Sequence, residues 1–353
     1  MKDTISASDA PRLTSLSHGG GCGCKIAPGI LSELLAGMPA TQPYAALMVG
    51  NETSDDAAVY RLNNQQALIA TTDFFMPIVD DPYEFGRIAA ANALSDIYAM
   101  GGSPIMALAL AGMPINVLPK ADIAGILQGG ASICAEAGIP VAGGHSIDSV
   151  EAIYGLAAMG LAHPDHIKRN ADAQAGDVLI LSKALGVGVL SAALKKEILS
   201  DEGYRAMISS TTQLNRPGAR LSSLSGVHAM TDVTGFGLLG HTLEIARASG
   251  LAAHLNPASL PWLPGVRQLA AQGVITGASG RNWASYGASI HLAPSVDDTL
   301  QALLCDPQTS GGLLVACAPE AAAEVLSIFH DEGFEYAAVV GELREGEAGV
   351  NVG

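Results

Sequence analysis

The chain has 353 residues, enough for two domains, and 49% of them are apolar, enough for a sizeable core. It carries 34 acidic and 18 basic residues, which gives a formal net charge of −16. A field of this sign repels nucleic acid and anionic membranes, so neither is an expected partner. Because it also repels phosphates, an enzyme of this composition that uses nucleotides needs a divalent metal and a few well-placed basic residues.

The sequence predicts a cytoplasmic protein. No apolar run reaches membrane-spanning length without a charge or a turn residue, and the first 18 residues lack the apolar segment of a signal peptide. The five cysteines are an odd and sparse set, which argues against a disulfide framework. Cys134, Cys305 and Cys317 lie among apolar or small neighbours and are expected to be buried as small hydrophobic residues.

Residues 1–25 are polar and rich in turn residues, and they predict a mobile arm that ends in a Gly/Cys segment. The first half then shows a hairpin, a helix ended by two glycines, a strand, a second helix and two further strands. Their predicted ranges are 57–62 with 66–75, 84–100, 105–115, 120–137, 138–146 and 152–163. A charged stretch without an apolar pattern, 163–177, marks the junction between domains.

The second half begins with a strand that leads through a Gly-rich turn into a helix. The elements that follow are a long helical region, a strand–loop–helix unit, a loop with a strand, a helix and a last strand. Their predicted ranges are 201–224, 228–250, 305–318, 320–333 and 335–343. Strands and helices interleave in both halves, which predicts two α/β or α+β domains, 26–165 and 166–353.

Several aspartates adjoin apolar or small residues, where a lone charge is costly to bury. These are Asp55, Asp56, Asp73, Asp96 and Asp232. Capping and turn roles explain most such positions, but they do not explain Asp96, which lies in mid-helix with Asn92 one turn earlier on the same face. Several aspartate oxygens that converge are typical of Mg²⁺ shared with substrate phosphates.

Glycine-rich segments are the second possible source of phosphate contacts. No G-x-x-x-x-G-K-[ST] motif is present. The segment "GFGLLG" at 235–240 matches G-x-G-x-x-G, but no acidic residue follows about 20 positions later to bind a ribose, so dinucleotide binding is rejected. We interpret these glycines as the start of a helix whose N-terminal amides face phosphate or metal. For "AGGHS" and "DPQTSGGLL", a simple turn role remains the alternative.

The segment "SHGGGCGCK", 17–25, places two thiols one residue apart. A zinc site requires C-x-x-C spacing and a second pair, and a C-x-C disulfide is strained. A reactive thiolate remains: Lys25 is close enough to lower the pKa of a thiol, and the glycines allow the arm to fold over a site. From these residues alone, a merely flexible segment is equally compatible.

Seven motifs in this order, from residue 18 to 314, together resemble the selenophosphate synthetase (selenide, water dikinase) family: "HGGGCGCK", "GNETSDDAAVY", "TTDFFMPIVDDP", "NALSDIYAMGG", "AGGHSID", "AMTDVTGFGLLGH" and "LCDPQTSGGLL". The resemblance implies that ATP, selenide and water give selenophosphate, AMP and phosphate with Mg²⁺. The product would supply activated selenium for selenocysteine and selenouridine synthesis. The implied fold is shared with aminoimidazole ribonucleotide synthetase and thiamine-monophosphate kinase. In it, an N-terminal sheet pairs across a homodimer into a barrel, and a C-terminal α/β domain follows.

The resemblance also implies residue roles. Cys22 matches the catalytic cysteine of the family, and Lys25 matches its essential lysine. Cys24 matches a second cysteine, which is a weaker candidate for catalysis than Cys22. The implied metal ligands are Asp56, Asp96 and Asp232. The implied nucleotide contacts are Lys25, Thr53, Ser54, Asp55, Asp73, Asp96, Gly144, His145 and Ser146, the last three donated across the dimer. Whether Cys22 carries selenium covalently or only guides it stays open.

Two other functions are compatible with parts of the sequence. A related ATP-dependent kinase could act on a carbon-based substrate, but such a substrate needs no soft thiol, so the Cys-Gly-Cys-Lys arm argues against it. A selenium or metal carrier without catalysis could use the arm alone. The aspartates in both halves argue against the carrier, because it needs no nucleotide-sized metal site.

Overall fold

The computed structural model describes residues 11–26, 28–36, 44–50 and 55–353. Within these ranges the strands form a six-stranded and a seven-stranded sheet. The strands of the first sheet are β1 Leu47–Val49, β2 Ala58–Arg61, β3 Ala67–Phe75, β4 Ser103–Met113, β5 Val141–Asp148 and β6 Ile153–Ala162. Those of the second are β7 Val178–Leu181, β8 Val227–Asp232, β9 Ala252–Leu255, β10 Ile290–Leu292, β11 Leu313–Cys317, β12 Ala338–Arg344 and β13 Gly349–Val352.

The helices pack around and between the two sheets. They are α1 Pro28–Ala36, α2 Pro82–Ala99, α3 Lys120–Glu136, α4 Val187–Lys195, α5 Asp201–Thr212, α6 Pro217–Leu221, α7 Gly237–Ser249, α8 Val266–Ala271, α9 Gly277–Tyr286, α10 Asp298–Leu304 and α11 Ala322–Asp331. Short 3-10 helices include Leu13–Leu16 and Gly21–Cys24 in the arm. Among the described residues, no helix combines the length and the apolar character needed to cross a lipid bilayer.

The first sheet has the strand order β1-β2-β3-β6-β4-β5, and only β4 and β5 are parallel neighbours. Because side chains alternate along a strand, β3 turns Ile69 and Phe75 into the core and Phe74 to the opposite face. Helix α2 covers the core face and packs against α3. The opposite face is not covered by any described element.

Helix α2 begins at a well-defined cap. The Asp81 side chain accepts a hydrogen bond from the backbone amide of Glu84 at 3.0 Å, and Pro82 occupies the first helical position. Glycines then bring α2 into backbone contact with α3, since a Cβ at Gly86 would lie 1.9 Å from the carbonyl oxygen of Ile126. This close packing leaves most of α2 buried, including its polar residues Asn92 and Asp96.

The second sheet has the order β10-β13-β9-β12-β7-β11-β8 and is covered on both faces. Leu179, Leu181 and Leu314 contribute to a cluster with α7, whereas Ile180 and Val315 contribute to a cluster with α11. A sheet covered on both faces has strands that are apolar at successive positions, as in "VLIL" of β7. The C-terminal half is therefore a layered α/β unit, and the expectation of mixed α/β architecture in both halves is confirmed.

The predicted elements of the first half are found within a few residues of their expected ranges. The single helix predicted over 201–224 is wrong. The chain leaves α5 at Gln213 and starts α6 with Pro217 at its first position, because proline has no amide hydrogen to continue the helical hydrogen bonds. The proposed domain boundary between residues 165 and 166 lies between β6 and β7.

Candidate functional site

The arm is packed into the molecule over its described part. Leu13 and Cys22 are 2% and 1% exposed, and the backbone amide of Cys22 donates to Thr309 Oγ1 at 3.0 Å. On another side the arm rests on Gly235, where a Cβ would lie 2.6 Å from the carbonyl oxygen of Cys22. The described part of the segment that was predicted to be a mobile arm is thus docked against the rest of the molecule.

Asn92 on α2 organises the surroundings of the Cys22 thiol. Its Oδ1 accepts hydrogen bonds from Cys22 Sγ at 3.2 Å and from the backbone amide of Ser310 at 2.7 Å. Its Nδ2 donates to Asp73 Oδ2. One fully buried amide therefore links the arm, the loop before β11 and the strand β3.

Lys25 reaches the same carboxylate as Asn92. Its Nζ lies 3.5 Å from Asp73 Oδ2, and its side chain is 37% exposed. Burial acts to lower the pKa of Lys25, but the negative charges of Asp73 and Asp96 outweigh this effect and hold the pKa well above its ordinary value. The amine is therefore a fixed positive charge beside the thiol.

The thiol itself is neutral in this conformation. Burial raises the pKa of Cys22 well above its ordinary value, and the negative charge of Asp73 raises it further. Lys25 lowers this pKa but does not reverse the shift. Lys25 therefore lowers the pKa of Cys22 as the sequence predicted, but in the docked arm burial and Asp73 outweigh the effect of this amine.

Three aspartates from separate elements converge beside this network. Asp56 precedes β2, Asp96 lies on α2 and Asp232 ends β8, and one carboxylate oxygen of each lies within 4.8 Å of the others. Threonine hydroxyl groups contact two of these carboxylates. Thr231 donates to Asp56 Oδ1 at 2.8 Å, and Thr71 donates to Asp96 Oδ2.

The electrostatics of this cluster fit a divalent cation. Burial and then the neighbouring carboxylates raise the pKa of Asp56 and of Asp96 well above their ordinary values, and burial raises that of Asp232. Asp56 Oδ2 and Asp232 Oδ2 are buried without a hydrogen-bond partner among the described residues. Buried acceptors left in this way are costly, and hard cations such as Mg²⁺ prefer carboxylate oxygens. The three aspartates are a candidate metal centre.

The structure does not bring every predicted site residue to this cluster. Thr53 and Ser54 lie outside the described residues. The carboxylate of Asp55 accepts a hydrogen bond from the backbone amide of Asn170 at 2.7 Å. Gly144, His145 and Ser146 lie on β5, the edge strand of the first sheet, which β6 and β4 separate from the strand of Asp73.

Sequence reasoning missed the direct contacts of the thiol. Asn92 was recognised only as a neighbour of Asp96. Its position one turn before a buried aspartate indicates that its side chain faces the same buried site. Thr309 and Ser310 belong to "DPQTSGGLL", for which a turn role was an alternative. The clue was a run of small polar residues next to a buried strand, since such residues offer short donors and acceptors.

The sequence comparisons identify a fold family for each half. The AIR synthase related protein, N-terminal domain, matches residues 54–162, and the AIR synthase related protein, C-terminal domain, matches residues 174–352. Thiamine-monophosphate kinase from Stenotrophomonas maltophilia K279a is 21% identical with a TM-score of 0.64 and covers 87% of this chain and 91% of its own. Hydrogenase maturation protein HypE in complex with ATP is 19% identical with a TM-score of 0.61, covering 88% of this chain and 86% of its own. The protein therefore has the AIR synthase-like fold.

Full-length relatives narrow the class further. Selenide, water dikinase from Burkholderia pseudomallei (strain K96243) is 68% identical over 343 residues, which is 97% of each chain. Selenide, water dikinase from Paraburkholderia xenovorans (strain LB400) is 66% identical over 353 residues, the whole of both chains. The chain belongs to the selenide, water dikinase family, and the resemblance read from its seven motifs is confirmed.

Docking of the arm depends on the absence of a side chain at Gly21. This residue has a φ of +53°, and a Cβ would lie 2.2 Å from Thr309 Oγ1 and 2.5 Å from Ile78 Cγ2. We expect Gly21→Ala to shift the arm away from Asn92. The left-handed backbone alone costs about 1–2 kcal/mol for alanine, so alkylation of Cys22 by iodoacetamide should become about tenfold faster.

Gly23→Ala is the matched control. At Gly23 the nearest atom to a Cβ is Pro307 Cγ at 3.3 Å, and φ is not positive. We expect the alkylation rate of Cys22 in this variant, followed by mass spectrometry, to stay within about twofold of the parent, since an ordinary surface change costs at most about 0.5 kcal/mol. Equal rates in the two variants would contradict the docked arrangement.

Proposed function

We propose that the protein converts ATP, selenide and water into selenophosphate, AMP and phosphate, and so supplies activated selenium for selenocysteine and selenouridine synthesis. The observation that carries this proposal is that a buried thiol and three converging carboxylates lie close to one helix, α2. Cys22 contacts Asn92, and Asp96 lies one turn further along α2. A soft nucleophile and a phosphate-binding metal can thus meet at one site.

The aspartates are proposed to hold Mg²⁺. Asp56, Asp96 and Asp232 would each offer one oxygen, and the bound ion would neutralise phosphate charge on ATP. The partner-free oxygens of Asp56 and Asp232 support this assignment. Lys25 would add a fixed positive charge beside Asp73, directed at phosphate. Phosphoryl transfer depends mainly on such positioning and charge neutralisation.

Cys22 is proposed to receive the selenium nucleophile. Hydroselenide is an anion, and a neutral thiol can donate a hydrogen bond to it, whereas a thiolate would repel it. The raised pKa of Cys22 in the buried, Asp73-flanked position favours the neutral form. The docked arm also excludes water from this point, since Cys22 is 1% exposed, and so protects a reactive nucleophile.

We propose further that the nucleotide site is completed across a homodimer. The face of the first sheet opposite to α2 carries exposed apolar side chains, with Tyr60, Phe74 and Ile147 exposed by 47%, 51% and 56%. Such a patch is typical of a protein interface. Gly144–Ser146 on edge strand β5 lie far along the sheet from Asp73, so a second subunit is the natural source of their nucleotide contacts.

The dimer makes a direct prediction. Phe74→Glu places a charge on this apolar face, and burial of an unpaired charge is strongly unfavourable. We expect sedimentation velocity to show a dimer for the parent protein at micromolar concentration and a monomer for the variant, with loss of ATP turnover. Glu substitution at Tyr336, which is exposed by 44% in the second half, serves as the control and should leave the dimer intact. A monomeric parent protein would contradict the proposal.

The reaction is tested by phosphorus NMR under anaerobic conditions. With ATP, Mg²⁺ and selenide we expect AMP, phosphate and a new resonance that requires selenide. We expect Cys22→Ser to lower the rate of selenide-dependent product formation by about 100-fold or more, because this is the scale for loss of one positioned catalytic group. Cys24→Ser is the matched control, because Cys24 Sγ donates a hydrogen bond to the Gly21 carbonyl oxygen at 2.9 Å and serine can replace that hydrogen bond. Full activity of Cys22→Ser would refute the role of this thiol.

A further inference from the structure

A cavity lies against the arm, on the side that faces α4 and α9. It has a volume of about 360 Å³ and is bounded by the backbone of Gly19, Gly20 and Gly23, by the last turn of α4 and by the first turn of α9. None of the three converging aspartates lines it. The cavity is therefore separate from the candidate metal centre, although both adjoin the arm.

The charge of this cavity is opposite to that of the whole protein. Lys195, Lys196 and Arg281 line it, and none of its described lining residues is acidic. His18 also lines it, and its Nδ1 lies 2.9 Å from Glu151 Oε1. In a chain with 34 acidic and 18 basic residues, three basic side chains around one cavity form a local positive field.

A helix terminus adds to this field. Thr276, Gly277 and Ala278 line the cavity, and they form the cap and the first turn of the ten-residue helix α9. The N-terminus of a helix carries a partial positive charge and free amides. The buried carboxylate of Asp306 lies at the first turn of α4, where it accepts a hydrogen bond from the amide of Val189 at 3.2 Å, and it does not line the cavity.

The cavity is physically connected to the arm and to the thiol. Arg281 Nη2 donates to the carbonyl oxygen of Gly23 at 3.0 Å, and Lys195 Nζ donates to that of Ser17 at 3.2 Å. Thr309 lines the cavity, and its hydroxyl accepts the amide hydrogen of Cys22. An anion held here would thus be separated from Cys22 by little more than the glycine backbone of the arm.

We propose that this cavity is an anion-binding vestibule that receives hydroselenide before it reaches Cys22. This assignment rests on the proposed function. The phosphate side of the site combines three carboxylates with a highly charged nucleotide, and a free anion approaching from there meets strong repulsion. A separate positive approach removes this barrier and raises the rate of encounter. The glycines of the arm allow the backbone to move and pass the anion to the thiol.

Lys196 offers the cleanest test because its side chain is exposed and has no hydrogen-bond or ion-pair partner among the described residues. We expect kcat/KM for selenide at low ionic strength to fall about threefold in Lys196→Gln and about tenfold in Lys196→Glu, and to recover in Lys196→Arg. The differences should disappear in 0.5 M salt, where the Debye length is about 4 Å. KM for ATP should stay within about twofold, since the three aspartates proposed to bind its metal do not line this cavity.

Lys120, the exposed first residue of α3, provides the control for net charge. Lys120→Gln and Lys120→Glu change the total charge by the same amounts but lie outside the vestibule, and both should retain the parent kcat/KM. If the Lys196 series has no effect, or if the Lys120 series has the same effect, the vestibule proposal is overturned.

Bromide gives a readout that does not need activity, because it is a monovalent anion of similar size to hydroselenide. In crystals soaked with bromide we expect an anomalous peak in the cavity beside Arg281, and its loss in Lys196→Glu. Bromide should also compete with selenide and not with ATP. A peak without competition would mean an adventitious ion only and would overturn the proposal.

Failure of the proposed function would look different. The parent protein would then form no selenide-dependent AMP while still binding bromide in the cavity. That result overturns the assignment to hydroselenide and leaves an anion site.

Discussion

The structure depends on one electrostatic constraint, the convergence of three carboxylates, of which Asp96 and Asp232 are buried and Asp56 is half-buried. Asp56, Asp96 and Asp232 place oxygens within 4.8 Å of one another and come from both sheets and the helix between them. Bringing like charges together in a buried place is unfavourable unless a cation or protons compensate them. A shared cation would convert this repulsion into a bond between the two halves of the molecule. The position of α2 then follows, since it carries Asp96 between the sheets.

The arm is held against the same helix, α2, by a hydrogen bond. Asn92 lies one turn before Asp96 and accepts the hydrogen bond of the Cys22 thiol. The loop before β11 contacts both partners, because Thr309 accepts a hydrogen bond from the Cys22 amide and the Ser310 amide donates one to Asn92. The distance between the thiol and the three aspartates is therefore set by one rigid helix and not by the chain segment that carries Cys22. Rigid support of this kind is what a reaction between two separately bound groups requires.

Much of this arrangement was predictable from the sequence. The mid-helix position of Asp96 without a capping role pointed to a metal ligand, and the interleaved strands and helices predicted α/β layers in both halves. The break between α5 and α6 was missed, although Pro217 at the first position of α6 marks it in the sequence. The short strands β1, β9, β10 and β13 were also missed, since three or four residues carry little periodic signal. Contacts such as Cys22 with Asn92 join residues 70 positions apart, and no local pattern encodes them. The pKa of Cys22 likewise depends on burial, which the neighbouring sequence, with its lysine, did not reveal.

The most direct test is the location of a metal in the three-aspartate centre. Crystals grown with Mn²⁺ and a non-hydrolysable ATP analogue should show an anomalous peak bonded to Asp56, Asp96 and Asp232. The metal–oxygen distances should be near the ~2.1 Å typical of small octahedral cations. The peak should be lost at this position in Asp232→Asn, which removes one charge with little change in shape. A bound nucleotide whose manganese ions lie elsewhere, with these three carboxylates free of metal, would contradict the central role given to them.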